Sequence, residues 1–359
     1  MIVGSGARAS GEGGAVQGDS GVEFSIRSGM SAAPSNPLER QMEIRKLLLI
    51  GGSGFLGSHL ANVLSGRGYR VTVPTRRRER AKHLLPLPTT DVVEADVHDP
   101  AALGKLVSGQ DAVVNLVGIL HSRSGRPYGR DFAQAHVELP RAIVAACLKA
   151  GVTRLLHVSA LKADASAPSE YLRSKAAGEA AVQEAGKSIA TTIFRPSVVF
   201  GPGDSFLNMF AQLSRRFPVL PLACPHARFQ PVFVDDVAHA IADSLTRPDA
   251  LDMTYELCGP KVYTLRQLVE YVGETIHCRR PIIGLSQGLS YLQAAVMEWM
   301  PGDLMSRDNV ASMQVDNVCE GCALPFGLIP TPLEAVAPGW LGFHVPRARF
   351  APLRQKAHR

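Results

Sequence analysis

The chain has 359 residues, 46% apolar and 19% charged, with 38 Lys and Arg against 32 Asp and Glu for a formal net charge of +6. That apolar share supports a sizeable core and argues against general disorder, and basic clusters without interleaved aromatic residues make no nucleic-acid module. Six scattered cysteines read as free thiols of a reducing compartment rather than a disulfide scaffold, and no uninterrupted apolar stretch is long enough to span a bilayer.

Residues 1–41 are rich in Gly, Ser and Ala and show no periodicity. They lack the apolar centre of a secretory signal and carry Glu12, Asp19 and Glu23, unlike an import peptide, so a disordered extension is predicted. The strand Leu47–Ile50 then runs straight into Gly51, Gly54 and Gly57, and a helix is predicted over Gly57–Ser65. Strand, glycine turn and helix in that order suit a dinucleotide. The first glycine allows a tight turn, the second lets the backbone approach a pyrophosphate, and the third lets helix and strand pack closely. Strands at Arg70–Pro74 and Asp91–Glu94, a helix near Pro100–Ser108 and a strand at Ala112–Leu116 follow. Next come a helix at His136–Ala150 closed by Gly151, a strand at Arg154–Ser159, a helix at Tyr171–Gly186 and a strand at Ala190–Phe194. Strands separated by helices predict an α/β fold, a Rossmann-like doubly wound parallel sheet over residues 42–195.

Past Arg195-Pro196, prolines and loops dominate residues 196–231. A helix at Asp235–Thr246, within 232–250, returns to the first domain, and strand Met253–Cys258 and helix Leu265–Thr275 follow. Segments 196–231 and 251–345 make a small discontinuous lobe over the C-terminal edge of the sheet. Residues 282–300, with Trp299, present an apolar helical face suited to core or subunit contact more than to membrane insertion. The basic tail 346–359 is a solvated end able to dock on an acidic partner or a membrane surface.

The second strand ends Thr75-Arg76-Arg77, where an NAD site would place a carboxylate on the ribose 2′-hydroxyl. A guanidinium accommodates a 2′-phosphate, so NADP(H) is the preferred cofactor and NAD(H) the lesser one; a solvated basic turn is the plainer alternative. Asp96, beside Val97, either accepts from an adenine amino group or caps the next helix. Ser159 ends a strand, and Tyr171 and Lys175 share one helix face, where an ammonium can favour the phenolate and a serine hydroxyl can hold a substrate oxygen. Cys319-x-x-Cys322 has metal-ligand spacing but no second pair to complete a site, so no metal is predicted. His121, Arg123, Arg126 and Arg130 either grip an anionic substrate or form a solvated loop, and His59 is packing or surface.

Gly51-x-x-Gly54-x-x-Gly57, Ser159, Tyr171-x-x-x-Lys175 and Arg195-Pro196-Ser197-Val198-Val199-Phe200-Gly201 together resemble the extended and atypical short-chain dehydrogenases/reductases, which include the NAD-dependent epimerase/dehydratase-like proteins. Asn115-Leu116-Val117-Gly118-Ile119-Leu120, the run from Phe229 to Ala238 and Tyr255-Glu256-Leu257-Cys258-Gly259-Pro260 are similar to the NAD(P)H-binding accessory subunits of respiratory complex I and their bacterial relatives. The resemblance implies a pyrophosphate at Gly51, Ser53, Gly54, Phe55, Leu56 and Gly57, with a 2′-phosphate at Arg76 and adenine at Asp96 and Val97. It implies the middle of the cofactor at Leu116, Val117 and Gly118, the nicotinamide ribose at Tyr171 and Lys175, and the carboxamide at Pro196, Ser197 and Val198. It further implies a dinucleotide retained as a structural element, with respiratory-complex subunits or a membrane surface as partners and a role linked to ubiquinone. The alternative is an active NADPH-dependent reductase or sugar-nucleotide epimerase/dehydratase using Ser159, Tyr171 and Lys175. The interval from Ser159 to Tyr171 is shorter than in most extended members. Placement is expected in the bacterial cytoplasm, peripheral to the inner membrane, or alternatively in the mitochondrial matrix. Oligomeric state is left open.

Overall fold

Lys46-Leu-Leu-Leu-Ile50 is apolar on both faces, and such a strand is satisfied only between two layers of helix. The computed structural model describes residues 44–299, 305–321 and 323–341, and it places this strand, β1 (Lys46–Ile50), inside a seven-stranded sheet. The other strands are β2 (Arg70–Thr75), β3 (Thr90–Glu94), β4 (Ala112–Asn115), β5 (Arg154–Val158), β6 (Ala190–Pro196) and β7 (Met253–Leu257). Their order is β7-β6-β5-β4-β1-β2-β3, with every neighbouring pair parallel. The chain reverses direction of winding between β1 and β4, the place where ligands settle in sheets of this kind.

Period-two alternation sorts β1 between the layers. Leu47 and Leu49 join Leu60, Ala61 and Leu64 of α1 (Phe55–Gly66) and Val237, Ala238 and Ile241 of a helix at Val234–Ser244. Leu48 and Ile50 face Leu103 and Val107 of α2 (Pro100–Val107), Ile143 and Cys147 of α3 (Leu139–Ala150), and Val182 of α4 (Glu170–Gln183). A separate apolar cluster gathers Leu207 and Phe210 of α5 (Phe206–Arg216), Leu268 and Val272 of a helix at Leu265–Thr275, and Leu333 and Leu341. The helices at 234–244 and 265–275 are α6 and α7; α8 (Gln287–Met297) and α9 (Arg307–Ser312) follow, with short helical turns at Arg130–Phe132, Leu333–Val336 and Pro338–Leu341.

The doubly wound sheet is the one predicted, and the differences are local. Helix α5 stands where only loops were expected, its first turn held by Asp204, whose carboxylate accepts from Leu207 N at 2.7 Å. The helix predicted from His136 begins earlier, as a π-helical stretch Ala133–Glu138 that leads into α3. Pro140 has no N–H to offer the His136 carbonyl one turn back, and that carbonyl lies so close to Gly178 that a Cβ there would sit 2.1 Å from it. The expected free thiols fail at one pair. Cys258, just after β7, is disulfide-bonded to Cys319, while Cys147, Cys224 and Cys278 are free. Among the described residues no helix is long and apolar enough to cross a membrane, and no three metal-ligating side chains gather. The predicted extension 1–41, the tail 346–359 and Cys322 lie outside the described residues.

Candidate functional site

The turn after β1 fixes one half of the site. Gly51 has φ +83°, and a Cβ there would lie 3.1 Å from Leu116 C and 3.2 Å from Val117 N, so the turn is pressed against the residues that leave β4. A Cβ on Gly57 would come within 2.4 Å of Gly51 O, which is how α1 reaches the strand. Gly54 differs: its Cβ would meet only Gly51 O, at 3.3 Å, and the residue is exposed. Gly54 is also the N-cap of α1 and no side chain caps this end, which leaves first-turn N–H groups and the positive end of the helix dipole for an anion. Ser53, Phe55 and Leu56 line the same turn and are partly exposed.

Further along the sheet edge, Arg76 follows β2 and is exposed, in no ion pair among the described residues. Asp96 follows β3 and is not a helix cap: its carboxylate accepts from His98 N at 3.0 Å, while Asp99 caps α2 by accepting from Ala101 N at 3.0 Å. Val97 packs against the α2–α3 side of the core.

Ser159 follows β5, and Tyr171 and Lys175 lie on α4. Ser159 is buried, and its Oγ has no hydrogen-bond partner. Lys175 is buried too, and its Nζ donates to Val158 O at 2.8 Å; a Cβ on Gly118 would lie 3.7 Å from it. Burial drives the Lys175 pKa down to about 8, with Glu179 opposing the shift, and burial pushes Tyr171 up to about 12. The Tyr171 ring is braced edge-on by His136 at 5.7 Å and by Phe132 at 6.1 Å.

Two buried histidines complete this wall, and the sequence reading gave neither a role. His136 Nε2 accepts from Ile119 N at 3.0 Å, its Nδ1 bonds Ser174 Oγ at 2.8 Å, and that hydroxyl donates to Tyr171 O. His157 Nδ1 accepts from the Asn115 amide at 3.1 Å, and its Nε2 is buried with no partner. Burial first, then the charge of Lys175, holds the pKa of His136 near about 2 and that of His157 near about 3, so both rings are neutral.

This glycine turn, Ser159, Tyr171 and Lys175 fall inside residues 47–258, which match the model of the NAD dependent epimerase/dehydratase family. The chain belongs to that family. It is 33% identical over 306 residues, 80% of this chain and 77% of the other, to the mitochondrial NADH dehydrogenase [ubiquinone] 1 alpha subcomplex subunit 9 of Rattus norvegicus. A ceramide reductase of Caulobacter vibrioides is 34% identical over 193 residues, 53% of this chain and 57% of that protein. The fold is similar to that of MoeE5, solved in complex with UDP-glucuronic acid and NAD, with a TM-score of 0.56 at 21% identity over 67% of this chain and 85% of that one.

Beyond the matched family segment, residues 305–321 reach back to the site. Asp308 of α9 accepts from the backbone N–H of Glu170 and of Tyr171. Asn317 Oδ1 accepts from Val198 N at 3.1 Å and from Ser197 Oγ, so buried Ser197 is engaged by protein while Pro196 and Val198 stay partly exposed. Of the other candidates, the two histidines are engaged by the fold, while Arg123, Arg126 and Arg130 are exposed. His121 donates to Asn309 Oδ1 at 3.1 Å, Arg123 approaches Asp131 at 3.8 Å, and His59 ties α1 to α6 through Asp235 at 2.6 Å. A cavity of about 510 Å³ is bordered by His226, Arg266, Ser290, Val310 and Gln314.

Proposed function

We propose that this member of the family binds a nicotinamide dinucleotide across the ends of β1, β4 and β5, NADP(H) in preference to NAD(H), and retains it as a structural element. The observation that carries the reading is the turn at Gly51, left-handed and pressed against Leu116 and Val117, leading into a helix whose first turn no side chain caps. The residues present fit such a group. Ser159 Oγ is a buried hydroxyl awaiting a partner, and Gly54 leaves room beside the turn.

In this reading Gly51, Ser53, Gly54, Phe55, Leu56 and Gly57 hold the pyrophosphate, Arg76 the 2′-phosphate, and Asp96 and Val97 the adenine. Leu116, Val117 and Gly118 border the middle, Tyr171 and Lys175 hold the ribose, and Pro196, Ser197 and Val198 flank the carboxamide. The nicotinamide supplies hydride chemistry when bound. A phenol held at about 12 keeps its proton near neutrality, whereas an acid/base group works best with a pKa near the operating pH. The extent of the likeness to the rat respiratory subunit supports a place beside respiratory-complex subunits, in quinone-linked function peripheral to a membrane. The second reading, an NADPH-dependent reductase or sugar-nucleotide epimerase/dehydratase, is supported by the presence of Ser159, Tyr171 and Lys175, with Ser159 Oγ unpartnered, and by the likeness to a ceramide reductase.

Titration calorimetry tests the cofactor. NADPH should bind more tightly than NADH, and Arg76→Ala should weaken NADPH about tenfold, a loss of about 1.4 kcal/mol, while leaving NADH nearly unchanged. No heat with either dinucleotide refutes the reading; equal losses refute the preference. Bound NADPH that stays unoxidised with carbonyl substrates supports retention, and turnover abolished by Tyr171→Phe supports the second reading.

A further inference from the structure

We propose that Asp308, outside the matched family segment, is a positioning residue that holds Tyr171 in place for the nicotinamide half of the cofactor; this rests on the dinucleotide reading above. Tyr171 is the second residue of α4, a place where helices fray unless their first N–H groups find acceptors. The local sequence leaves two of these groups unserved. Ser169 caps only Leu172 N, at 3.2 Å, and the Glu170 carboxylate is turned to the loop before it, accepting from Gly125 N and Gly129 N. Asp308 fills the gap from 138 residues further on: one oxygen accepts from Glu170 N at 2.6 Å and the other from Tyr171 N at 3.0 Å.

The carboxylate is itself held in register. Ser306 and Asn309 form a capping box around α9, the Asn309 side chain accepts from His121, and Arg307 is paired with Glu298 at 3.0 Å. Seen from the relay, the contribution is unequal. Lys175 lies one turn deeper and is anchored by Val158 O, so losing Asp308 loosens Tyr171 first. A negative charge at the first turn of α4 also complements the helix dipole.

The test compares whole and half ligands on the full chain, together with amide hydrogen exchange read by NMR. In Asp308→Ala, exchange at Glu170 and Tyr171 should quicken about tenfold, with Ala101 at the Asp99 cap unchanged, as expected for the loss of one cap. NADPH should bind about tenfold more weakly, and adenosine 2′,5′-bisphosphate, which lacks the nicotinamide half, should bind as before. Unchanged exchange at Glu170 and Tyr171, or equal weakening of both ligands, overturns the assignment. If Asp308→Ala does not fold, Asp308→Asn, which keeps one carbonyl acceptor, carries the same comparison with a smaller expected effect. A wild-type chain that binds neither ligand refutes the cofactor reading, and the exchange rates at Tyr171 then decide the positioning role alone.

Discussion

The starts of α1 and α4 pose the same electrostatic problem and solve it differently. At α4 the first three N–H groups are all taken, two by Asp308 and one by Ser169. At α1 the N-cap is Gly54, and no side chain takes the first-turn donors. Both ends carry partial positive charge and both favour an anion. Beside Tyr171 the chain supplies its own carboxylate; on the proposed dinucleotide reading, the donors of α1 are left for the ligand's phosphates. The open end can be left so because glycine packing, rather than a cap, holds it in shape.

The largest expected effect tests that last point. Gly57→Ala would place a Cβ 2.4 Å from Gly51 O and 2.5 Å from Gly52 Cα, contacts with backbone that only a displacement of α1 could relieve. A loss of about 3 kcal/mol in urea unfolding is expected, along with loss of dinucleotide binding. Wild-type stability in Gly57→Ala would show that α1 is not pinned by this contact.

The α4 side is backed by the neutral rings of His136 and His157, and this gives it a pH signature. Their folded pKa values, about 2 and about 3, lie below the ordinary 6.5. Between pH 6.5 and about 3 the unfolded chain therefore binds more protons than the folded one, and stability falls as pH falls. Each ring contributes about 1.4 kcal/mol per pH unit in that window. Urea midpoints measured between pH 7 and 5 should drop accordingly, and the slope should shrink in His157→Gln. A wild-type profile that is flat from pH 7 to 5 would contradict neutral burial. Lys175 acts at the other end of the scale: with its pKa lowered to about 8, the folded state gains stability as pH rises from there toward 10.5.

The two helix starts also show why part of the site was legible and part was not. The glycine pattern that starts α1 lies within a few residues of Gly51, so the strand, the turn and the helix could be read together. Helix α7 was legible to both ends for the same reason, with Thr264 and Gln267 forming its cap in place. Asp308, by contrast, is 138 residues from the donor it serves, and nothing local distinguishes it from any surface aspartate. The Cys258–Cys319 bond spans 61 residues and is equally silent. His136 and His157 look like core residues because they are core residues; their role comes from Asn115, Ile119 and Ser174 on other elements. Two misses had local signals. Pro140 marked the widened turn before α3, and Phe206, Leu207, Phe210 and Ala211 carried a helical spacing beneath the surrounding prolines.

The smallest effect on stability belongs to the substitution that separates the two helix starts most sharply. Gly54 has φ −81°, which any residue adopts, and a Cβ there meets only Gly51 O at 3.3 Å, so Gly54→Ala should cost less than about 1 kcal/mol. The same methyl would stand where the pyrophosphate must approach the α1 amides, so NADPH affinity should fall at least tenfold. Ser169→Ala at the start of α4 inverts the pattern: it removes a cap, costs about 1 kcal/mol, and leaves the pyrophosphate site untouched. Calorimetry with adenosine 2′,5′-bisphosphate, which carries a 5′-phosphate but does not reach Tyr171, and urea unfolding should therefore give opposite signatures on the two variants. If Gly54→Ala binds NADPH like the wild type, the glycine is there for packing alone, and the open end of α1 is not where the phosphates lie.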